Sequence, residues 1–404
     1  GGVDSSVAAA VLAEQGMDVV GLTLDIWPDQ SSDPGRRNCC SPRSIDDAGR
    51  VCAKIGIPHF VLNFREVFAH SVIDRFANSY FHGFTPNPCI DCNQFIKFGA
   101  LWEKASEIGA DLIATGHYAW TDRTHLGDRW QLHRGHDSEK DQSYVLYVLT
   151  QFQLARAIFP LGGMSKAEVR SKAANLGLSV AEKEESMDIC FVDSDYRTFA
   201  RNWTGQEGVP GPILDKSGRR LGTHQGIENF TVGQRRGLRI SAEEPLYVSE
   251  IDPLEHAITV GPRPDAEVTR FYVDNINAVS VPSFDPNTDI TVKVRARGEE
   301  IAAHIFPDGA DSAIVETDIP AWGVAAGQAA VFYQEDARLM PFLGKKCSRF
   351  RLMVSFSPSA TLDMEPSTCI SATRWSCWSC WPRCSPLAQQ FRCVTMTSLT
   401  GPVS

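Results

Sequence analysis

Gly1-Gly2-Val3-Asp4-Ser5-Ser6 runs straight into an alanine- and valine-rich stretch, and that junction constrains the fold more than any other feature of the chain. A glycine pair lets backbone amides turn inward with no β-carbon in the way. The two serines add donors, and a helix from about Val7 to Gln15 presents its positive end to an anion. The loop is therefore read as holding a phosphate or pyrophosphate. It lacks the lysine of G-x-x-x-x-G-K-[ST], so it is not that loop. The plain alternative is a glycine turn capped by Asp4 at a helix start. The pattern also calls for a strand feeding the turn, so the chain reads as truncated at its start.

Beyond the loop, 404 residues exceed what one core usually holds, and two or three domains are expected. Up to about residue 199 short apolar runs alternate with helical stretches, the texture of a doubly wound α/β sheet. Expected helices are Ser44–Ile55, Phe95–Ile108 and Ser143–Ala157. Expected strands are Val19–Asp25, His59–Phe64 and Asp111–Thr115, with Trp130–His133 in a hairpin around Asp128. Residues 200–268 and 269–344 change to Gly and Pro turns between short strands, including Thr231–Gly233, as two small β domains would. From about Lys345 the periodicity vanishes, and half of the twelve cysteines fall in residues 345–404. That composition reads as a frameshifted or disordered tail, although Cys377-x-x-Cys380 has zinc-ligand spacing. No apolar run reaches membrane-spanning length and nothing reads as a signal peptide, so a cytoplasmic site without membrane partners is expected.

Thr85-Pro86-Asn87-Pro88-Cys89-Ile90-Asp91-Cys92-Asn93 is the second strong signal. Two prolines fix an extended loop, and Cys92 is expected beside a helix start, where the dipole favours thiolate. Cys190 is a third thiol of the same half, and spacing alone does not bring it to Cys92. Cys52, inside a helix, reads as a small buried hydrophobe. A structural zinc site with Cys39 and Cys40 is disfavoured, because adjacent cysteines chelate one ion poorly. The net charge of −10 argues against indiscriminate nucleic-acid binding. Between Asp215 and Ile240, however, six basic residues face two acidic ones, a local basic surface.

The glycine loop resembles the S-G-G-x-D-S loop of the PP-loop ATP pyrophosphatases, which split ATP to AMP and pyrophosphate. In chain order the residues resemble the tRNA-specific 2-thiouridylase family, which puts sulfur on the wobble uridine of certain tRNAs. The blocks are the loop at 1–6, Thr-Pro-Asn-Pro-x-x-x-Cys-Asn at 85–93, Ala-Thr-Gly-His-Tyr-Ala at 114–119, Lys-Asp-Gln-Ser-Tyr at 140–144, Phe-Pro-Leu-Gly at 159–162, Ile-Cys-Phe at 189–191, Thr-Val-Gly-Gln-Arg-Arg-Gly-Leu at 231–238 and Gly-Gln-x-Ala-Val-Phe-Tyr at 327–333. Only the tail lies outside them.

The resemblance implies an adenine nucleotide alpha hydrolase-like α/β domain followed by two β domains. It implies adenylation of the uracil 2-carbonyl oxygen with ATP and Mg²⁺, Gly1, Gly2, Val3, Asp4, Ser5, Ser6, Leu24 and Gly116 holding the nucleotide. A persulfide on Cys190 then delivers sulfur, with Cys92 as the partner thiol of a disulfide-forming pair. Asn87, Pro88 and Cys89 match the segment that meets the target base. His117, Lys140, Asp141, Gln142, Arg295, Ala296 and Gln328 match tRNA-contacting positions, though His117 also reads as a satisfied strand-end histidine and Lys140-Asp141 as a solvated pair. The implied partners are tRNA and a sulfur donor, a cysteine desulfurase or a sulfur-relay protein. Cys89 stands where many family members carry an acidic residue; with Cys92 and Cys190 it makes three thiolates, which suit a [4Fe–4S] cluster as an alternative to the persulfide. The rival readings are another PP-loop adenylating enzyme, or an inactive RNA- or metal-binding relative lacking the first strand.

Overall fold

Alternation of apolar runs with helices does produce a parallel sheet. The structure, a computed structural model, describes residues 2–27, 42–123, 129–183, 189–192, 195–281, 288–335, 348–355 and 392–396. Five strands lie in the order His59–Asn63, Asp18–Asp25, Arg392–Met396, Leu112–Ala114 and Ala157–Ile158, parallel at every ladder. The buried apolar runs of Asp18–Asp25 and Leu112–Ala114 need cover, and helices supply it. Val3, Val7 and Ala8 of the helix Val3–Glu14 share a core with Val51 of the helix Pro42–Ile55 and with Val169 and Ala173 of the helix Lys166–Asn175.

The first helix starts at Val3, earlier than the sequence pattern suggests. Gly2 is its N-cap in extended geometry, and the Ser5 and Ser6 hydroxyls donate back to the Gly2 carbonyl at 3.2 and 2.8 Å. Asp4, Ser5 and Ser6 are thus first-turn residues, and the anion-facing amides belong to the helix itself. Ser143–Ala157 is not one helix. Val145 to Leu149 are all buried, so no polar face exists; Ser143–Val145 forms a 3₁₀ turn, and a Thr150/Gln153 capping box starts a separate short helix, Gln151–Leu154.

Two β units follow, as expected. Arg220–His224, Gly211–Leu214, Ala257–Gly261 and Tyr247–Asp252 form a four-stranded sheet around Ile213, Val248, Ile258 and Val260. The stretch Thr231–Gly233, expected as a strand, is a turn, with Gly233 at φ +87°. Six further strands, Glu267–Asn277, Ala313–Trp322, Ile301–Pro307, Ile290–Lys293, Ala329–Glu335 and Ser348–Ser355, close into a barrel because the last also pairs with the first. Strict alternation along Ile301–Pro307 puts Ile301, Ala303 and Ile305 inside. Ser348–Ser355 also touches the hairpin of Ala119–Arg123 and Trp130–Arg134 through the Arg349–His133 pair, joining barrel to α/β unit. Asp128, placed at the tip of that hairpin by the sequence, lies outside the described residues.

Two stretches of the presumed tail are therefore strands. Arg349-Phe350-Arg351-Leu352 does alternate polar and apolar residues, a signal masked by the surrounding Ser, Cys and Trp. Arg392–Met396 pairs on both sides, from Asp18–Leu22 to Leu112–Ala114. Cys377 and Cys380 lie outside the described residues. A proline within a doubly paired strand removes a ladder donor and leaves its acceptor carbonyl without that hydrogen bond. Val394→Pro should therefore destabilise the protein by on the order of 1–3 kcal/mol in urea unfolding followed by circular dichroism. An unchanged midpoint would show that this strand does not hold the sheet.

Candidate active site

The glycine loop is built from three parts of the chain. Asp4, 6% exposed, accepts a hydrogen bond from the Tyr118 hydroxyl at 2.7 Å, and the Lys166 ammonium donates to both of its carboxylate oxygens at 2.8 Å. Tyr118 arrives on the segment Thr115-Gly116-His117 that leaves the strand Leu112–Ala114. Gly116 is required there: a β-carbon would lie 2.7 Å from the Ser5 nitrogen and 2.8 Å from the Asp4 carbonyl carbon. Leu24, fully buried, sits near the carboxyl end of Asp18–Asp25, where open parallel sheets bind ligands. Gly1 lies outside the described residues.

Lys166 is absent from the site read in the sequence, and so is a role for Tyr118. The available signal was Ser165-x-x-Glu168: the Ser165 hydroxyl accepts from the Glu168 amide and the Glu168 carboxylate accepts from the Ser165 amide, making Lys166 the first residue of its helix. Its own amide donates to Asp137 at 2.8 Å, which fixes the direction from which the side chain approaches Asp4.

His117 is buried, its ring packed near Phe98 and Phe159. Nε2 lies 3.3 Å from the buried Lys97 ammonium and Nδ1 2.8 Å from the Thr115 hydroxyl. An ammonium only donates, so Nε2 accepts and Nδ1–H donates to Thr115. Burial, reinforced by Lys97, holds this imidazole well below its ordinary range, and the ring is neutral. The position matched to a tRNA contact is thus interior in this conformation. Asp141 and Gln142 likewise turn inward: Asp141 accepts from the Gly135 amide and from the Ser143 amide and hydroxyl, while Gln142 accepts from the Tyr118 amide. Lys140 is half-buried beside them.

The cysteine segment departs from the expected geometry. Asn87 is the N-cap, accepting from the Cys89 amide at 3.2 Å, and Pro88 is the first helical residue. The helix runs through Pro88–Asp91, a π-helical stretch Cys92–Ala100, and Leu101–Glu107. Cys92 is therefore a full turn inside the helix rather than at its start, and the positive end meets Cys89 first. Asn93 donates to the Val145 carbonyl at 2.8 Å and pins the wide turn, a geometry that recurs at functional sites. Cys92 is a buried member of the main core, and Cys89 and Cys190 pack against that same core. Cys190 belongs to the turn Ile189–Val192, anchored by Phe191 edge-on to Phe68 and Phe76 at 5.7 and 5.2 Å. Cys52, Cys89, Cys92 and Cys190 are all thiols; burial pushes Cys52 up to about 11, as an inert core thiol requires. Among the described residues no three His, Cys, Asp or Glu side chains are grouped to hold a metal ion. Cys89, Cys92 and Cys190 are not grouped in that way in this conformation.

Three units meet behind the cysteine loop. The Thr85 amide donates to the Ala326 carbonyl at 2.7 Å, and Gln328 Nε2 donates to the Thr85 carbonyl at 2.8 Å. Gly327 admits this approach, since a β-carbon there would stand 2.9 Å from Phe84 Cβ. The Arg295 guanidinium donates to the carbonyls of Val232 and Gly323, both at 2.7 Å, and half-buried Ala296 follows it. Gln234 locks the neighbouring turn by accepting from Thr231 and donating to Asn229 and Arg236. Of the basic stripe, Lys216 pairs with Asp265 and Arg219 with Asp215, while Arg220, Arg235, Arg236 and Arg239 are exposed.

An α/β unit with a glycine-capped helix on a parallel sheet, followed by a small β unit and a β-barrel, is the architecture that carries these residues. Residues 1–194 match the family described as tRNA methyl transferase HUP domain, 197–262 its PRC-barrel domain and 268–339 the aminomethyltransferase beta-barrel domain. The tRNA-specific 2-thiouridylase MnmA of Heliobacterium modesticaldum is 44% identical over 83% of this chain and 88% of that protein. Those of Moorella thermoacetica and Chloroflexus aurantiacus are 46% and 47% identical over 83% of this chain and 95% and 93% of theirs. The chain belongs to the tRNA-specific 2-thiouridylase family.

The buried imidazole makes a pH prediction. With the folded pKa of His117 below the unfolded value of about 6.5, the unfolded chain binds more protons below that pH, so stability falls as pH drops and is unaffected above it. His59 and His224 are lowered by burial too and add to the slope. His117→Gln should remove up to about 1.4 kcal/mol per pH unit of it, measured by urea unfolding between roughly pH 5.5 and 7.5. An unchanged slope would mean that the ring titrates normally.

Proposed function

We propose that this chain is a tRNA-uridine 2-sulfurtransferase that adenylates the uracil 2-carbonyl oxygen with ATP and replaces that oxygen with sulfur. One observation carries the reading: a glycine-capped helix at the carboxyl edge of a parallel sheet shares its domain with Cys92 and Cys190, both packed on one core. Uracil O2 attacks the α-phosphorus and pyrophosphate leaves. The terminal sulfur of a Cys190 persulfide then attacks C2 and AMP leaves with the oxygen. Cys92 thiolate next attacks Cys190 Sγ, releasing 2-thiouridine and leaving a Cys92–Cys190 disulfide for an external thiol to reduce.

Gly1 to Ser6, Leu24 and Gly116 hold the nucleotide. Asp4 is the carboxylate of the loop helix's first turn, and a Mg²⁺ beside it would be held mainly by phosphate oxygens and water and would neutralise the leaving pyrophosphate. The sulfur route needs no [4Fe–4S] cluster. Asn87, Pro88 and Cys89 meet the target base. Arg220, Arg235, Arg236 and Arg239 meet tRNA phosphates, and Lys140, Asp141, Gln142, Arg295, Ala296 and Gln328 shape the surface around the anticodon. His117 acts from beneath by ordering Lys97 and Thr115. The sulfur donor is a cysteine desulfurase or a relay protein. No described helix is long and apolar enough to cross a membrane; a cytoplasmic site is part of the proposal.

The full chain with tRNA should release AMP and pyrophosphate, and Asp4→Ala should abolish this. Release of ADP and phosphate, or full turnover without tRNA, would overturn the assignment. Cys190→Ser and Cys92→Ser should each stop 2-thiouridine formation, read by mass spectrometry of digested tRNA, while Cys52→Ser should not. Continued thiolation by Cys190→Ser would require a different sulfur carrier.

A further inference from the structure

The helix Tyr196–Thr204 has two different faces, because residues four apart share a side. Phe199 and Trp203 meet the α/β unit: Phe199 stands 5.4 Å from Phe191, the neighbour of Cys190, and Trp203 Nε1 donates to Asp74 at 2.7 Å. Arg197 and Arg201 meet the central β unit instead. Arg197 donates to the Asn229 carbonyl at 3.1 Å, and Arg201 donates to Glu228 Oε1 and Asn229 Oδ1, both at 3.2 Å.

Glu228 is the unusual member of this set. Its side chain is 1% exposed, and Oε2 has no hydrogen-bond partner among the described residues. Two glycines make room for it: a β-carbon on Gly208 would stand 2.5 Å from Oε1, and one on Gly226, at φ +152°, would collide with Oε2. From this carboxylate the contacts run into the arginine turn. Asn229 donates to Glu228 at 2.8 Å, its carbonyl accepts from Gln234 at 3.2 Å, and Gln234 also holds the Thr231 amide and the Arg236 carbonyl.

We infer that Glu228, through Arg201, is a positioning residue for tRNA: it fixes the turn bearing Arg235 and Arg236 on a helix whose other face holds the Cys190 turn, so that bound phosphates stand in register with the sulfur-carrying thiol. The inference rests on reading Arg235 and Arg236 as phosphate contacts. Burial strips the carboxylate of water, so such a pair adds little net stability, and what it adds is direction.

Binding of unmodified tRNA to the full chain, followed by fluorescence anisotropy at several salt concentrations, tests this through a double-mutant cycle. Glu228→Leu should weaken binding about tenfold, the scale of one hydrogen bond to a charged group, and should lower the slope of log affinity against log salt by about one to two. Arg201→Met, at a position 31% exposed, should act in the same direction. Neither should cause further loss when added to the double variant Arg235→Ala, Arg236→Ala, and Glu228→Gln, which keeps an acceptor for Arg201, should recover most of the binding. Wild-type affinity and salt slope in Glu228→Leu overturn the positioning role and leave the arginine reading standing. Losses that add in full to those of the double arginine variant also overturn it, since Glu228 then acts on the fold at large. If Glu228→Leu does not fold, Arg201→Met decides by the same two criteria. Wild-type tRNA affinity in the double arginine variant overturns the reading of the turn and this inference with it.

Discussion

Parallel strands cannot be joined by tight turns, and each must be followed by a crossover that returns the chain to the same starting edge. All carboxyl ends therefore collect on one side. The site of the α/β unit follows from that constraint: Leu24 belongs to one strand end, Gly116 and Tyr118 to another, and the helix beginning at Val3 opens beside them. Lys166 approaches the same point from the helix that packs beside Val3–Glu14. Residues 162 positions apart meet at 2.8 Å because the sheet leaves them no other common edge.

The parts of the site that were legible in the sequence are those governed by local backbone chemistry. A glycine pair before hydroxyls and prolines before a cysteine each act within one turn, so their meaning is written in neighbouring residues. Pro88 illustrates the limit. Its fixed φ suits both an extended loop and the first residue of a helix, and the Asn87 side chain decides for the helix by capping Cys89. That choice moves Cys92 from the mouth of the helix to its second turn. The pairing of Asp4 with Lys166 had no local trace, since neither residue's neighbours name the other.

The strand Arg392–Met396 was not legible for a related reason. A doubly paired strand such as Arg392–Met396 owes its conformation to ladders on both sides, supplied by Asp18–Leu22 and Leu112–Ala114, and five residues carry too little pattern to announce it. Thr231–Gly233 errs in the other direction: β-branched residues suggested a strand, but Gly233 takes a positive φ and Gln234 folds the segment into a turn. Turn chemistry outweighed propensity there.

That turn matters because of what it abuts. Thr231 faces Thr85 at 3.5 Å, Val232 accepts from Arg295, and Ala326 and Gln328 grip Thr85 from the barrel. The grip is on backbone groups, so the loop carrying Asn87 to Cys92 is held whatever its side chains are doing. Arg295 spends its donors on Val232 and Gly323 and so fastens the central β unit to the barrel. The three units consequently position the cysteine helix as one body, with Arg235 and Arg236 exposed on the same locked turn. Long polyanionic substrates bind through many weak phosphate contacts, and such contacts transmit orientation to a reacting base only across rigid joints. The junction at Thr85 ties the turn carrying Arg235 and Arg236 and the barrel to the helix carrying Cys89 and Cys92 through hydrogen bonds to one residue.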